Sequence, residues 1–192
     1  SLMIKQLSAL ALVIGMGPLA VAAGDTPEWQ QPNTFRIGQI DPHALVVPYA
    51  DDAPLSAVAD MKYADSPYYL DLNGQWDFKW VIDPGKRPQG FQNPGYDISG
   101  WDKITVPGNW QTLGYGTRVY TNETYEFDTK FYNFKKDRPR VPFENNEVGS
   151  YRREFTIPAG WEGRRVVLAA EGVSSFFYAW VNGKYLGCNM DS

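Results

Sequence analysis

The chain has 192 residues, with 18 Lys and Arg against 22 Asp and Glu, and a formal net charge of −4. No basic patch interleaved with aromatics appears, which argues against nucleic acid as a partner. Aromatic residues make up 15% of the chain, including 7 Trp, beside 18 Gly and 14 Pro, a balance that favours an all-β chain over a helical bundle.

Ser1 and Leu2 precede Met3 and have the look of a cloning scar. Met3, Ile4 and Lys5 form a short positive head, Leu7 to Ala20 an apolar run, and Val21-Ala22-Ala23-Gly24 a small-residue cleavage site, so residues 1–23 read as the scar plus a secretory signal. The competing reading is a membrane anchor, but the run is short for a span and holds Gly15, Gly17 and Pro18. No Cys follows it to carry a lipid. The expectation is a secreted or periplasmic protein without a stable membrane anchor. If uncleaved, the segment is expected to be helical or disordered and to stay outside the fold.

Residues 24–67 carry Pro27, Pro32, Pro42, Pro48, Pro54 and Pro67 and show neither a helical nor a strand period. They read as an extended arm. Its apolar pieces, Phe35-Arg36-Ile37 and Ala44-Leu45-Val46-Val47, need a surface to dock on, and the arm has no core of its own. That suggests a partner surface on a larger protein.

From residue 68 the pattern turns β. In "YYLDLNGQWDFKWVID", Leu70 and Leu72 alternate with Asp71, and Trp76, Phe78 and Trp80 alternate with Asp77 and Lys79, with a turn signal at Asn73-Gly74. A short strand follows near Lys103–Val106. Tyr151, Arg153, Phe155 and Ile157 share one face of another, and Val166, Leu168 and Ala170 follow after a turn. Phe177, Ala179 and Val181 lead into Asn182-Gly183, a hairpin signal, and Lys184–Cys188 returns. Short strands spaced by turns predict an all-β jelly roll or β-sandwich over residues 68–192. The chain stops soon after the hairpin, so the domain is expected to be incomplete and to leave an open edge. Cys188 is the sole cysteine, which excludes an intrachain disulfide; among Tyr185, Leu186 and Gly187 it reads as a small buried hydrophobe.

Two stretches resist this pattern. "VPGNWQTLGYGTRVYTNETYEF", residues 106–127, is rich in aromatics and glycine and nearly free of charge. It reads as a loop pinned to the core by Trp110, Tyr115 and Tyr120, with sugar stacking by Trp110 as the alternative. Residues 128–140 carry Lys135, Lys136, Arg138 and Arg140 and read as a solvated surface loop pinned by Phe131, Tyr132 and Phe134.

Four stretches, "PYYLDLNGQWDFKW", "WDKITVPGNWQTLGYGTRVYTNETYEF", "VGSYRREFTIPAGW" and "GVSSFFYAWVNGKYLG" with the final Asp-Ser, resemble in order the N-terminal portion of glycoside hydrolase family 2, most closely its long β-galactosidases. "PHALVVPY" in the arm resembles the family too. The resemblance covers most of residues 29–192. It implies a jelly-roll, sugar-binding-type domain followed by immunoglobulin-like domains and a TIM barrel, whose two catalytic Glu residues this chain lacks. It also implies two substrate-binding residues: Asn122, reaching into the barrel's galactose pocket, and Asp191, contacting a galactose hydroxyl and serving as a sodium ligand. An amide both donates and accepts, and a carboxylate accepts strongly from hydroxyls and suits a hard cation. Sodium and magnesium are thus implied for a full-length enzyme and none for this chain alone. The implied partners are a β-galactoside and the remaining domains of the same polypeptide, with oligomerisation left open. Cys188-Asn189-Met190 and the longer basic insertion depart from the family pattern.

Local alternatives are weaker. Asp71 with Asp77, or Glu123 with Glu126, are candidate retaining pairs, which need roughly 5–5.5 Å between carboxyls, but nothing local buries either pair. His43 is the only histidine and lies in the arm, which speaks against a Ser-His-Asp triad or a two-His metal site. The rival functions are a free-standing carbohydrate-binding module and a family 2 enzyme acting on β-glucuronides or β-mannosides.

Overall fold

A computed structural model describes residues 26–31, 33–41, 44, 46, 48–49, 66–118 and 141–190, and the backbone of 10–14. The described residues form seven strands: β1 (Leu10–Ile14), β2 (Arg36–Ile37), β3 (Gly74–Val81), β4 (Asp102–Val106), β5 (Val148–Phe155), β6 (Phe177–Val181) and β7 (Lys184–Asn189). All pairings are antiparallel, in the order β2-β7-β6-β1-β5-β3-β4. Among the described residues no α-helix forms, only short 3₁₀ turns. The all-β class expected from the sequence is what the structure shows.

Both faces of the sheet are covered, and strand alternation decides which residues go where. On one face Trp76, Phe78 and Ile104 are buried with Tyr151, Phe155, Val181, Trp110 and Tyr115 packed around them. On the other, Tyr178, Trp180 and Cys188 are buried with Phe91 and Trp29, flanked by Tyr96, Trp101 and Tyr185. Cys188 is the small buried hydrophobe its neighbours suggested, and burial pushes its thiol up from the ordinary range.

Consecutive arginines on β5 serve the two faces separately. Arg152 is 2% exposed. Its Nη1 donates to the carbonyls of Asn93 (3.2 Å) and Tyr96 (3.3 Å), and its Nη2 to that of Pro94 (2.6 Å), clamping the loop that delivers Phe91 and Trp101. Arg153, facing the other way, donates from Nη1 to the carbonyls of Leu72 (2.7 Å) and Asn73 (2.6 Å) and lies 6.0 Å from the centre of the Trp76 ring. Trp76 Nε1 also donates to Leu72 O at 2.8 Å. Leu70–Leu72, which alternates like a strand, is not one, and the carbonyl at its end, that of Leu72, is taken by the Arg153 and Trp76 side chains. Asn73-Gly74 forms no hairpin either. Asn73 N–H donates to Asp71 Oδ1 at 2.8 Å, and Gly74, at φ 120°, opens β3. By contrast Asn182-Gly183 makes the expected two-residue hairpin, both residues at positive φ (50° and 78°).

Four expectations are corrected. Leu10–Ile14, read as part of a helical or disordered leader outside the fold, is a strand inside the sheet between β5 and β6. Val166–Ala170, read as a strand, belongs to no ladder. The arm docks on this domain itself over the residues described. Trp29 joins the core, Tyr178 Oη donates to Glu28 Oε2 at 2.7 Å, and the Gln30 amide brackets Val141, donating to its carbonyl and accepting from its N–H. Finally, β7 is not left open at its end: β2 pairs with it at Cys188 and Asn189, at a backbone approach so close that a Cβ on Gly38 or Gly187 would collide with carbonyls of Leu186 or Ile37.

Arg152→Leu would leave three carbonyls facing an apolar side chain. The expected loss is about 3 kcal/mol or more, from leaving buried acceptors unpaired, and larger than for Arg153→Leu; chemical denaturation of the two variants checks the order. Stability should also fall in alkali. Tyrosine ionises near pH 10 when unfolded. Burial, then the bonded Glu28 carboxylate, raise Tyr178 above that value, and burial pushes Tyr151 up to about 12. A raised pKa leaves this stability intact below pH 10 and removes it as pH rises further. Melts at pH 9 and 11 should show a smaller drop for Tyr178→Phe than for the parent.

Candidate functional site

The segment leading toward Asn122 is built on β4. After Val106 and Pro107 the chain makes a 3₁₀ turn, Trp110–Leu113, closed by Gly114 in the left-handed region at φ 98°, with Tyr115 N–H donating to Trp110 O at 3.1 Å. Thr112 ties the turn to its start, its N–H and Oγ1 both reaching Asn109 O, at 3.0 and 2.7 Å.

The turn is locked by two aromatic rings. Trp110 stacks on Tyr151 at 6.4 Å between centroids and lies 6.0 Å from Phe78. It packs so tightly over Gly149 that a Cβ there would sit 2.3 Å from the indole. Tyr115 meets Phe78 edge-on at 4.9 Å, and desolvation followed by its bond to Asp102 raises its phenol above the ordinary range. Among the described residues the Trp110 indole N–H has no acceptor. This is the packing role expected of Trp110 and Tyr115, not a sugar-stacking ring turned to solvent.

Beyond the turn, Thr117 N–H donates to Glu147 Oε1 at 2.9 Å, and Gly116, at φ 65°, lets the backbone pass over that carboxylate. Arg118 Nε donates back to Gln111 O at 3.0 Å. The chain therefore leaves Arg118 from a fixed point. On the other side of the domain β7 ends at Asn189, and Met190 N–H donates to Phe35 O at 2.9 Å, so the arm fixes the residue before Asp191.

Asn122 and Asp191 themselves lie outside the described residues, as do His43, Tyr120, Glu123, Glu126 and the basic segment 128–140. What is described is the chain on either approach to them, and there Glu147 carried no sequence signal, since it accepts from a backbone N–H 30 residues away.

The acidic pairs considered from sequence have local partners. Asp71 accepts from Asn73 N–H, and Asp77 pairs with Lys103 at 2.6 Å. Asp77 and Lys103 also line an open polar depression of about 540 Å³ together with Gln75, Ile98, Arg153 and Glu154. Glu154 in turn lies 3.8 Å from Arg152. Acid and base are matched there, two carboxylates beside Lys103 and Arg153. Among the described residues no three His, Cys, Asp or Glu side chains gather to hold a metal, and no helix is long and apolar enough to cross a membrane.

The described residues form an all-β domain, an antiparallel sheet packed by aromatics on both sides with the Trp110–Leu113 turn held against one of them. Residues 69–192 match the model of "Glycosyl hydrolases family 2, sugar binding domain", and the chain belongs to that family. It is 36% identical over 171 residues to a β-galactosidase of Priestia megaterium, covering 88% of this chain and 16% of that protein. It is 33% identical over 162 residues to a β-galactosidase of Halalkalibacterium halodurans (83% and 15%) and 30% identical over 175 residues to a β-galactosidase large subunit of Leuconostoc lactis (86% and 27%). The chain thus spans between about a sixth and about a quarter of the length of these relatives.

If Trp110 is a packing residue, Trp110→Ala should lower stability by about 3 kcal/mol, the low end for a tryptophan that is only half-buried. Leu113→Ala, at an exposed position of the same turn, should change it by less than about 0.5 kcal/mol. Urea denaturation of both variants measures the difference.

Proposed function

We propose that this chain is the N-terminal sugar-binding domain of a β-galactosidase, an enzyme that hydrolyses terminal β-galactosides with retention. In this reading the catalytic glutamates belong to a barrel domain, and the present domain delivers Asn122 and Asp191 to the galactose pocket. The observation that carries it is the rigid exit of the chain at Arg118, set by Trp110 on Gly149 and by Glu147 on Thr117, which suits a loop that must present a polar side chain to a second domain. The names of the relatives supply the substrate class.

Asn122 would donate to one galactose hydroxyl and accept from another; Asp191 would accept from a hydroxyl. A carboxylate is also a fitting ligand for sodium, but Asp191 alone makes no ligand set, so no step is routed through an ion. Secretion or a periplasmic location follows if residues 3–23 are cleaved as a leader.

The test uses a chromogenic β-galactoside and the full-length enzyme. Losing a neutral hydrogen bond costs about 0.5–1.5 kcal/mol, and losing one to a charged partner about 1.5–3. Asn122→Ala should therefore lower kcat/KM by about 2- to 12-fold, and Asp191→Ala by about 12- to 150-fold with a blunted response to sodium. Neither should shift Tm much. The 192-residue chain alone should not turn the substrate over. Wild-type kinetics in both variants, or melting losses as large as that of Trp110→Ala, would sink the assignment.

A further inference from the structure

The arm meets the sheet at both ends of one cross-strand row. Ile37 of β2 lies opposite Cys188 of β7, and Cys188 lies opposite Tyr178 of β6. At one end of the row the arm supplies backbone, through the β2 ladder. At the other it supplies a side chain: Glu28, half-buried, accepts from Tyr178 Oη at 2.7 Å. Tyr178 is itself buried, so its hydroxyl has no water to turn to if Glu28 is lost.

The stretch between these two ends has contacts of its own. Trp29 sits in the core and meets Phe143 edge-on at 4.8 Å. Gln31 N–H donates to Glu28 O at 2.9 Å, and Thr34 Oγ1 donates to Gln31 Oε1 at 3.0 Å. Just past β2, a Cβ on Gly38 would lie 1.9 Å from Leu186 O, so β2 keeps its place on β7 only while residue 38 has no side chain.

This part of the arm reaches the end of β7. The pairing of β6 with β7 stops at Phe177 opposite Asn189. Met190, one residue further, is met from the arm, its N–H donating to Phe35 O at 2.9 Å. Consecutive Cα atoms lie about 3.8 Å apart across a trans peptide, so Asp191 starts from wherever Met190 is held.

We propose that Glu28 is a positioning residue for Asp191: by bonding Tyr178 it seats the arm, the seated arm holds Met190 through Phe35, and Met190 sets the point from which the Asp191 carboxylate reaches a galactose hydroxyl. This rests on the galactosidase reading, which gives Asp191 its contact but gives the arm no part in binding. Glu28 touches no substrate. It acts on where another residue stands, and an error of placement in such a support passes into the ligand contact.

Kinetics of the full-length enzyme on a chromogenic β-galactoside, with a melting curve for each variant, test this through double-mutant cycles. Glu28→Ala should lower kcat/KM by about 2-fold or more. Gly38→Ala, which drives β2 off β7 and leaves Glu28 in place, should do the same. Both should also lower Tm. Beside Asp191→Ala neither should lower kcat/KM further, while each still lowers Tm; a merely structural role would leave the kinetic losses additive. Glu28→Gln keeps an oxygen that accepts from Tyr178 and should stay within about 2-fold of the parent. If Glu28→Ala does not fold, Tyr178→Phe breaks the same bond without stranding a buried hydroxyl and carries the same cycle. The proposal is overturned if breaking the bond leaves parent kinetics, if the loss is undiminished beside Asp191→Ala, or if Glu28→Gln loses as much as Glu28→Ala. Parent kinetics in Asp191→Ala itself would overturn the site assignment and this inference with it. A loss in Asp191→Ala without coupling to Glu28 would overturn this inference alone.

Discussion

The buried guanidinium of Arg152 is what lets this sheet have two faces. A charge so deeply enclosed is costly unless its donors are met, and here the two terminal nitrogens are met by three main-chain carbonyls of a single turn, Asn93 to Tyr96, while Nε has no acceptor among the described residues. That turn in turn holds Phe91 and Trp101 over Trp180. Without the clamp one side of β5 and β6 would face water through an irregular loop with no regular structure of its own. Arg153 performs the mirror-image task with weaker enclosure, tying the entry to β3 over Trp76. The pair of adjacent arginines therefore fastens a loop to each side of the same strand.

This arrangement also shows which parts of the fold a reader of the sequence can see. The hairpin at Asn182-Gly183 and the strands on either side are legible because their signals are local: alternation, and a dipeptide suited to positive φ. Trp110 as a packing residue is legible from its neighbourhood of glycines and aromatics. Leu70–Leu72 misleads because alternation is necessary for a half-buried strand but does not reserve its carbonyls, and here Arg153 and Trp76 claim that of Leu72. Leu10–Ile14 misleads for a different reason. An unbroken apolar run after a short basic head satisfies the pattern of a leader and that of an interior strand, paired on both sides, equally well. Arg152 and Glu147 are illegible because their partners are backbone atoms 56–59 and 30 residues away, and backbone atoms leave no mark in a sequence.

For the candidate site the same distinction holds. The loop's rigidity can be followed contact by contact from Gly149 and Glu147 to Arg118, and the approach to Asp191 from Phe35 to Met190. Both anchors are built from the sheet's core, one from β3 and β5, the other from β7 and the arm. Residues that present polar groups to a shared pocket gain from such mounting, since positional error in the support passes directly to the ligand contact.

The way the sheet ends has a consequence for the molecule in concentrated solution. One margin finishes in β2, only two residues long, whose backbone is pressed so close to β7 at Gly38 and Gly187 that only glycine fits. The other finishes in β4, which carries Asp102 and Lys103 and runs directly into Pro107. Neither margin offers the long, flat, uncharged row of hydrogen-bonding groups on which fibrils grow. A domain with 15% aromatic residues would be a ready seed for such growth; brevity on one side and charge with proline on the other make the sheet finite.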